Sequence, residues 1–199
     1  MKFSVRELVY IAIFGAIWGA LELTLGSYLH VIFPPLGDTF LVGLIMASLG
    51  VVVALIGRLF VPRKGSVLMI GIVTAILKMV SIGGVKLGPL VAILAESLLM
   101  EVGLLVARKP MRRSFIFAGA LAITWNFFHK FIMMWLLFGE GVYEVYMGMV
   151  QQGASLLRVD VRYALAMIVL LLLIRIVAGA LGGWAAWDLG RVVRGRLAR

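Results

Sequence analysis

Long apolar runs separated by short polar loops dominate the chain. A membrane-spanning helix needs about 20 consecutive apolar residues, and six segments come close to that length. Their approximate bounds are 7–29, 39–60, 66–82, 88–107, 114–138 and 163–187. The pattern predicts an all-α fold: an integral membrane six-helix bundle that forms one transmembrane domain over residues 1–199.

The composition supports a membrane protein over a soluble one. Hydrophobic residues make up 63% of the chain and the mean hydropathy is +1.12, whereas a soluble domain is about 45–50% apolar. There is no Cys and there are two His, so no thiolate or His-rich metal site is expected. The chain also lacks a P-loop motif and cannot bind ATP in that way. We expect no metal and no cofactor.

The net charge of +10 is distributed as a topology signal. Most Lys and Arg residues flank one set of loops: the N-terminus, 58–64, 108–113 and the tail after 190. The opposite loops carry only Lys86, Arg158 and Arg162. The positive-inside rule then places both termini in the cytoplasm, in a multi-pass membrane protein. Because the basic clusters form no stripe with aromatic residues, nucleic acid is not an expected partner.

A polar cluster interrupts the fifth segment. Trp125 and His129 lie four residues apart on one predicted helix face, and Asn126 and Lys130 on the adjoining face. A central Lys costs about 2.5–3.5 kcal/mol on insertion scales, so such groups normally face a bundle interior or a cavity. At 1.5 Å per residue, most polar side chains of other spans fall in the outer half too. We predict a substrate site open to the outside, formed by Glu22, Lys78, Glu96, Trp125, Asn126, His129 and Lys130.

A purely structural role is the alternative for some of these residues. Lys78 and Glu96 lie at compatible depths, as do Arg175 and Glu101. If the charges only hold the bundle together, we expect an ion pair within each of these two sets. Whether Arg175 and Glu101 are structural stays open at this point. Trp125 and Trp135 are expected either to pack or to stack on an aromatic ligand.

Small residues line one face of the first segment at four-residue spacing, which lets another helix approach closely. The members of this stripe are Ala12, Gly15, Ala16, Gly19 and Ala20. It predicts either a docking face for another membrane protein or internal packing. A second set in the sixth segment, Ala178, Gly179, Gly182 and Gly183, is expected to serve internal packing.

Two patterns carry a family resemblance: the AxxxA pattern Ala12–Ala16, and the run from Gly83 to Pro89 that leads into the fourth segment with Glu96. In these patterns the chain resembles the substrate-binding S components of energy-coupling factor (ECF) transporters of bacteria and archaea, which implies the plasma membrane of a prokaryotic cell. The resemblance implies that Ala12 and Ala16 dock onto a transmembrane coupling subunit. It also implies that a vitamin or similar small nutrient binds near the outer face, below a lid formed by 31–38. ATP would be hydrolysed by separate ATPase subunits.

Substrate identity is not determined by these patterns. A thiamin-related pyrimidine is favoured because Trp125 and Trp135 offer stacking surfaces. The predicted protein is therefore a binding subunit and not an enzyme, embedded in the lipid bilayer. Two alternatives remain: a membrane-embedded enzyme that uses Glu96, His129 and Lys130 in acid–base catalysis, and a membrane scaffold whose polar groups only pair internally.

Overall fold

The computed structural model describes residues 3–32, 41–80, 87–106, 110–139 and 160–197, with positions 141, 144, 147, 148, 150 and 151. Over these residues the chain forms six long helices and no strand, as predicted. The helices are α1 (Val5–Ile32), α2 (Leu41–Phe60), α3 (Ser66–Met79), α4 (Leu87–Val106), α5 (Arg112–Phe138) and α6 (Ala164–Leu197). A 3₁₀ turn, Val161–Tyr163, precedes α6.

Helix bounds follow the apolar segments closely, with two differences. The apolar run of the sixth segment ends at Trp187, but α6 continues for ten more residues to Leu197. This extension consists of Asp188 followed by Arg, Leu, Val and two Gly residues, with no Pro. Arg is a good helix former, and water can solvate its exposed side chains. The second difference is that α3 is shorter than predicted: it ends at Met79 and has 14 residues, fewer than the 66–82 segment predicts.

Among the described residues, four stretches of helix are long and apolar enough to cross a membrane: Val5–Gly26, Val42–Phe60, Leu87–Val106 and Ala166–Arg196. They indicate a membrane protein. The outward faces agree with this, since large apolar side chains such as Ile13 and Ile17 on α1 and Leu173 and Leu181 on α6 are 45–57% exposed. In water such faces would be costly, whereas lipid tails solvate them.

Ion pairs gather one end of every helix at the same end of the bundle, which we call the basic end. Arg63, between α2 and α3, pairs with Glu7 at the start of α1. A separate pair joins Arg112 Nη2 at the start of α5 to Asp188 Oδ2 near the end of α6, at 2.6 Å. A Cβ at Gly190 of α6 would lie 2.5 Å from Leu59 at the end of α2, so this pair is at the same end. In the same region, Oε2 of Glu101 on α4 accepts from the backbone N–H of Val67 on α3. Successive helices therefore run in opposite directions.

The helix α2 touches each of the other five helices, so it holds the bundle together. Its Val51, Ala54 and Leu55 are fully buried, as are Trp18 of α1 and Phe115 of α5. Such a core is close-packed, which makes each helix position depend on the side chains of its neighbours.

Glycine sets the closest helix crossing, between α5 and α6. A Cβ at Gly183 would lie 2.0 Å from the carbonyl oxygen of Phe115, and one at Gly179 would lie 2.4 Å from that of Gly119. No side chain fits there, so the two backbones are in direct contact. Gly182 instead faces Val51 of α2. The small residues of the sixth segment thus serve internal packing, as the sequence predicts.

Candidate functional site

A chain of hydrogen bonds joins α4, α5 and α6 inside the bundle. Nδ2 of Asn126 donates to Oε1 of Glu96 at 2.9 Å, and Oδ1 of Asn126 accepts from Nη1 of Arg175. Glu96 and Arg175 are 3% and 4% exposed. The guanidinium carbon of Arg175 also lies 5.9 Å from the centroid of the Phe127 ring, within cation–π range. Asn126 therefore links a buried carboxylate to a buried guanidinium.

A second pair joins α1 to α3 nearby. Nζ of Lys78 lies 3.3 Å from Oε2 of Glu22 and donates to the Glu22 carbonyl oxygen at 3.0 Å. Glu22 is within electrostatic range of Glu96, so the two groups of polar residues are neighbours. Counted at 1.5 Å per residue, they lie about 15–25 Å from the basic end.

The central helix α2 completes this arrangement without a polar side chain. A Cβ at Gly43 would lie 3.5 Å from Oδ1 of Asn126, so α2 passes directly beside the amide. All six helices thus meet around what we call the polar network: Glu22, Lys78, Glu96, Asn126 and Arg175. It holds two carboxylates and two cations, and the charges balance.

Both predicted charge pairs are wrong. Lys78 pairs with Glu22 and not with Glu96, because α1 packs directly against α3. Arg175 bonds to Asn126, while Glu101 lies toward the basic end, where its Oε1 is 3.1 Å from Nη1 of Arg58. For the first pair, equal depth is not enough, since each residue turns the helix face by about 100°. For the second pair, the predicted match in depth was itself wrong, because Glu101 lies nearer the basic end than Arg175 does.

Three buried ring nitrogens have no hydrogen-bond partner among the described residues: Nε1 of Trp18 on α1 and, next to each other on α5, Nδ1 of His129 and Nε1 of Trp125. The rings of His129 and Trp125 lie with centroids 6.1 Å apart, and the backbone of Gly88 borders the histidine. The His129 side chain is only 9% exposed. A buried polar group without a partner costs about 1–3 kcal/mol, so this position suits a bound molecule that supplies hydrogen-bonding atoms.

The remaining predicted site residues divide into two groups. Trp135 is 57% exposed and so faces away from this interior position, which removes one of the two expected stacking surfaces. The Lys130 side chain and the run 83–86 lie outside the described residues. So does the predicted lid 31–38, apart from its first two positions at the end of α1.

Arg175, a member of the polar network, and Phe127, whose ring lies against it, were missed as site residues. Arg175 was recognised as an intramembrane charge, and its cost in lipid was the signal that it needed a partner. Phe127 had no signal, because an aromatic residue in an apolar helix is ordinary.

The small-residue stripe of α1 has two sides. Ala12, Ala16 and Ala20 are exposed. Gly15 and Gly19 are buried, and a Cβ at either would lie 2.6–2.8 Å from Val73 or Leu77 of α3. The docking role predicted for the two glycines does not fit this placement: they bring α3 close to α1. Only the alanines are available to an outside partner.

The chain matches no protein-family model, no curated protein and no solved structure. Its described residues offer three features on which a function can be built: the balanced polar network, the two open nitrogens beside it, and the exposed alanine face of α1.

Proposed function

We propose that the chain is a membrane-embedded solute-binding subunit of an ECF-type importer that captures a vitamin-sized nutrient. The observation that carries the proposal is the pair of open nitrogens, Nδ1 of His129 and Nε1 of Trp125. They are buried and adjacent, and they border groups already hydrogen-bonded to one another. A small ligand with complementary atoms would satisfy both.

The proposed orientation follows from the basic end. It carries most of the Lys and Arg residues, so the positive-inside rule places it, and both termini, in the cytoplasm. The polar network and the open nitrogens then lie in the outer part of the bundle. A site there would take up its ligand from outside, as an importer requires.

The charged and hydrogen-bonding groups of the site indicate which class of ligand it would bind. The charged side chains of the polar network compensate one another. Glu22, Lys78 and Glu96 therefore support the site more than they act as ion-pair partners of the ligand. Nε1 of Trp125 can only donate a hydrogen bond, and Nδ1 of His129 can donate or accept. This favours a heteroaromatic ligand with at least one acceptor atom beside the Trp125 ring, a description that fits a thiamin-related pyrimidine.

Energy for transport would come from partner subunits. The exposed Ala12, Ala16 and Ala20 provide a flat helix face on which a transmembrane coupling subunit can dock. ATP would be hydrolysed by ATPase subunits bound to that coupling subunit, and this chain would need no cofactor of its own.

A scaffold is the competing function, and the balance of charges in the polar network favours it. Thermal unfolding of the detergent-purified chain against a panel of vitamins and precursors separates the two. A ligand bound to the native state at 100 times its Kd adds about 2.7 kcal/mol of stability, which is readily measured. A scaffold would show no stabilising ligand.

Variants locate the site once a ligand is found. We expect Trp125→Phe and His129→Ala each to weaken binding at least about fivefold while the chain stays folded, since one hydrogen bond to a buried group is worth about 1–3 kcal/mol. The exposed Trp135→Phe is the matched control and should bind normally. Unchanged affinity in both site variants would refute the assignment.

The docking face has a separate test. Ala16→Leu should leave ligand binding intact but prevent co-purification with a coupling subunit, because the bulky side chain keeps the helices apart. Ala166→Leu makes the same change on the exposed side of α6 and should leave the complex intact. A complex that survives Ala16→Leu would show that α1 is not the docking face.

A further inference from the structure

A cleft of about 170 Å³ opens at the basic end, far from the polar network. It is lined by Arg58, Lys64, Leu104, Leu105 and Pro110. The residues come from the end of α2, the loop after it, the end of α4 and the approach to α5. Its volume is several times the roughly 30 Å³ that one water molecule occupies, so a small ionic group fits.

The guanidinium of Arg58 is only partly used by the protein. Its Nη1 contacts three acceptors: the carbonyl oxygen of Arg63, Oγ of Ser66 at 3.1 Å and Oε1 of Glu101 at 3.1 Å. Its Nε and Nη2 make no hydrogen bond with the described residues, and neither is sealed from solvent. The pair with Glu101 thus holds the guanidinium in place while leaving donors open.

Lys64 adds an uncompensated charge. It forms no ion pair or hydrogen bond within the described part of the chain, and its side chain is exposed. Arg58 is balanced by Glu101, so the cleft keeps one net positive charge from those of its lining residues that the structure describes. Leu104, Leu105 and Pro110 make the rest of the wall apolar.

We propose that this cleft binds a phosphate group, with the open nitrogens of Arg58 and the ammonium of Lys64 as its donors. An Arg guanidinium offers planar donors that match phosphate oxygens, and a Lys adds a mobile point charge. The apolar wall suits the glycerol and upper acyl carbons of an anionic phospholipid in the adjacent leaflet. Basic pockets between membrane helices are a known setting for such headgroups. A free phosphate ion shares the same chemistry.

The test is a titration of the detergent-purified protein with three ligands: dioleoylphosphatidylglycerol, dioleoylglycerol and inorganic phosphate. Dioleoylglycerol has the same acyl chains as the first lipid but no phosphate. Binding is followed by native mass spectrometry and by the melting temperature. The phosphate-bearing lipid should bind and stabilise where dioleoylglycerol does not. If inorganic phosphate displaces the lipid at comparable concentration, the site takes the free ion; if it does not, the lipid headgroup is the ligand.

Two variants and a control locate the site. Lys64→Gln should weaken the phosphatidylglycerol affinity about fivefold, because it removes a charged donor that contacts the phosphate inside the cleft. Arg194→Gln removes one exposed charge from the same end but outside the cleft, and should change the affinity less than twofold. Arg58→Lys keeps a cation for Glu101 but loses the planar donors, so its affinity for phosphatidylglycerol should also fall. The melting temperature of this variant without lipid shows whether it is folded.

Equal weakening by Lys64→Gln and Arg194→Gln would overturn the proposal, because it would mean that the lipid senses only the overall charge of this end. So would equal binding of the phosphate-bearing and phosphate-free lipids.

Discussion

Nδ2 of Asn126 donates a hydrogen bond to Oε1 of Glu96 at 2.9 Å, across the contact between α5 and α4. The same amide accepts from Arg175 of α6 on its other side. One neutral side chain therefore connects two buried charges on two further helices. This makes Asn126 a structural residue of the bundle as well as a neighbour of the proposed ligand site.

Replacing Asn126 with Ala should destabilise the bundle by about 1–3 kcal/mol, because Glu96 and Arg175 each lose a buried partner. Thr124→Ala is the matched control on the same helix: Oγ1 of Thr124 bonds only to the carbonyl oxygen of Ala120 within α5, and its loss should cost far less. Unfolding in mixed detergent micelles measures both. Equal losses would mean that the link across α4, α5 and α6 contributes nothing to stability.

The pair Lys78–Glu22 should show energetic coupling. Both side chains are 13–15% exposed, so removing one leaves the other poorly solvated. Lys78→Met and Glu22→Gln should each lower the free energy of unfolding. The double variant should lose less than the sum of the two, by about 1 kcal/mol, within the range for residues in contact. Strictly additive losses in the unfolding cycle would contradict the pair.

Gly183→Ala should force α5 and α6 apart, because the new Cβ would lie 2.0 Å from a carbonyl oxygen. We expect a loss of about 1–3 kcal/mol, the usual cost of overpacking. Gly195→Ala is the control on the same helix. Nothing lies within 4 Å of its Cβ position, so the change should be neutral or stabilise by up to about 1 kcal/mol through helix propensity. A tolerated Gly183→Ala would place the crossing elsewhere.

Substitutions at two neighbouring residues of α1 should differ strongly in their effect on stability. Gly15→Ala would bring a Cβ to 2.6 Å from Val73 and should destabilise the chain by about 1–3 kcal/mol. Ala16→Leu, on the exposed side, should change the free energy of unfolding by no more than about 0.5 kcal/mol. If Ala16→Leu proved the more damaging of the two, the rotation of α1 described above would be incorrect.

Helix positions were the most predictable part of the structure. Each apolar segment corresponds to a helix, because a run of apolar residues is readable from the chain alone and Pro or Gly marks most of its ends. The prediction was weakest where a helix extends beyond its apolar segment. The helix α6 continues for ten residues past Trp187, because a helix can leave an apolar environment without ending.

The site was predicted as a set of residue types and depths, but not as a set of contacts. Glu22, Lys78, Glu96 and Asn126 do meet in one region, since burying charge in lipid is costly and such groups must find one another. Their partners were misassigned, however. The sequence contained no sign that Gly43 would bring α2 beside Asn126, or that Phe127 would lie under Arg175.

The sequence alone determined the all-helical class, the apolar segments, the basic end and the need for buried polar groups to be compensated. Each of these follows from local composition and from the cost of charge in an apolar medium. Only the tertiary structure decided which face of each helix meets which neighbour. It separated the alanines of α1 from its glycines, paired Lys78 with Glu22, and left His129 and Trp125 with open nitrogens, because these depend on how six helices rotate and pack against one another.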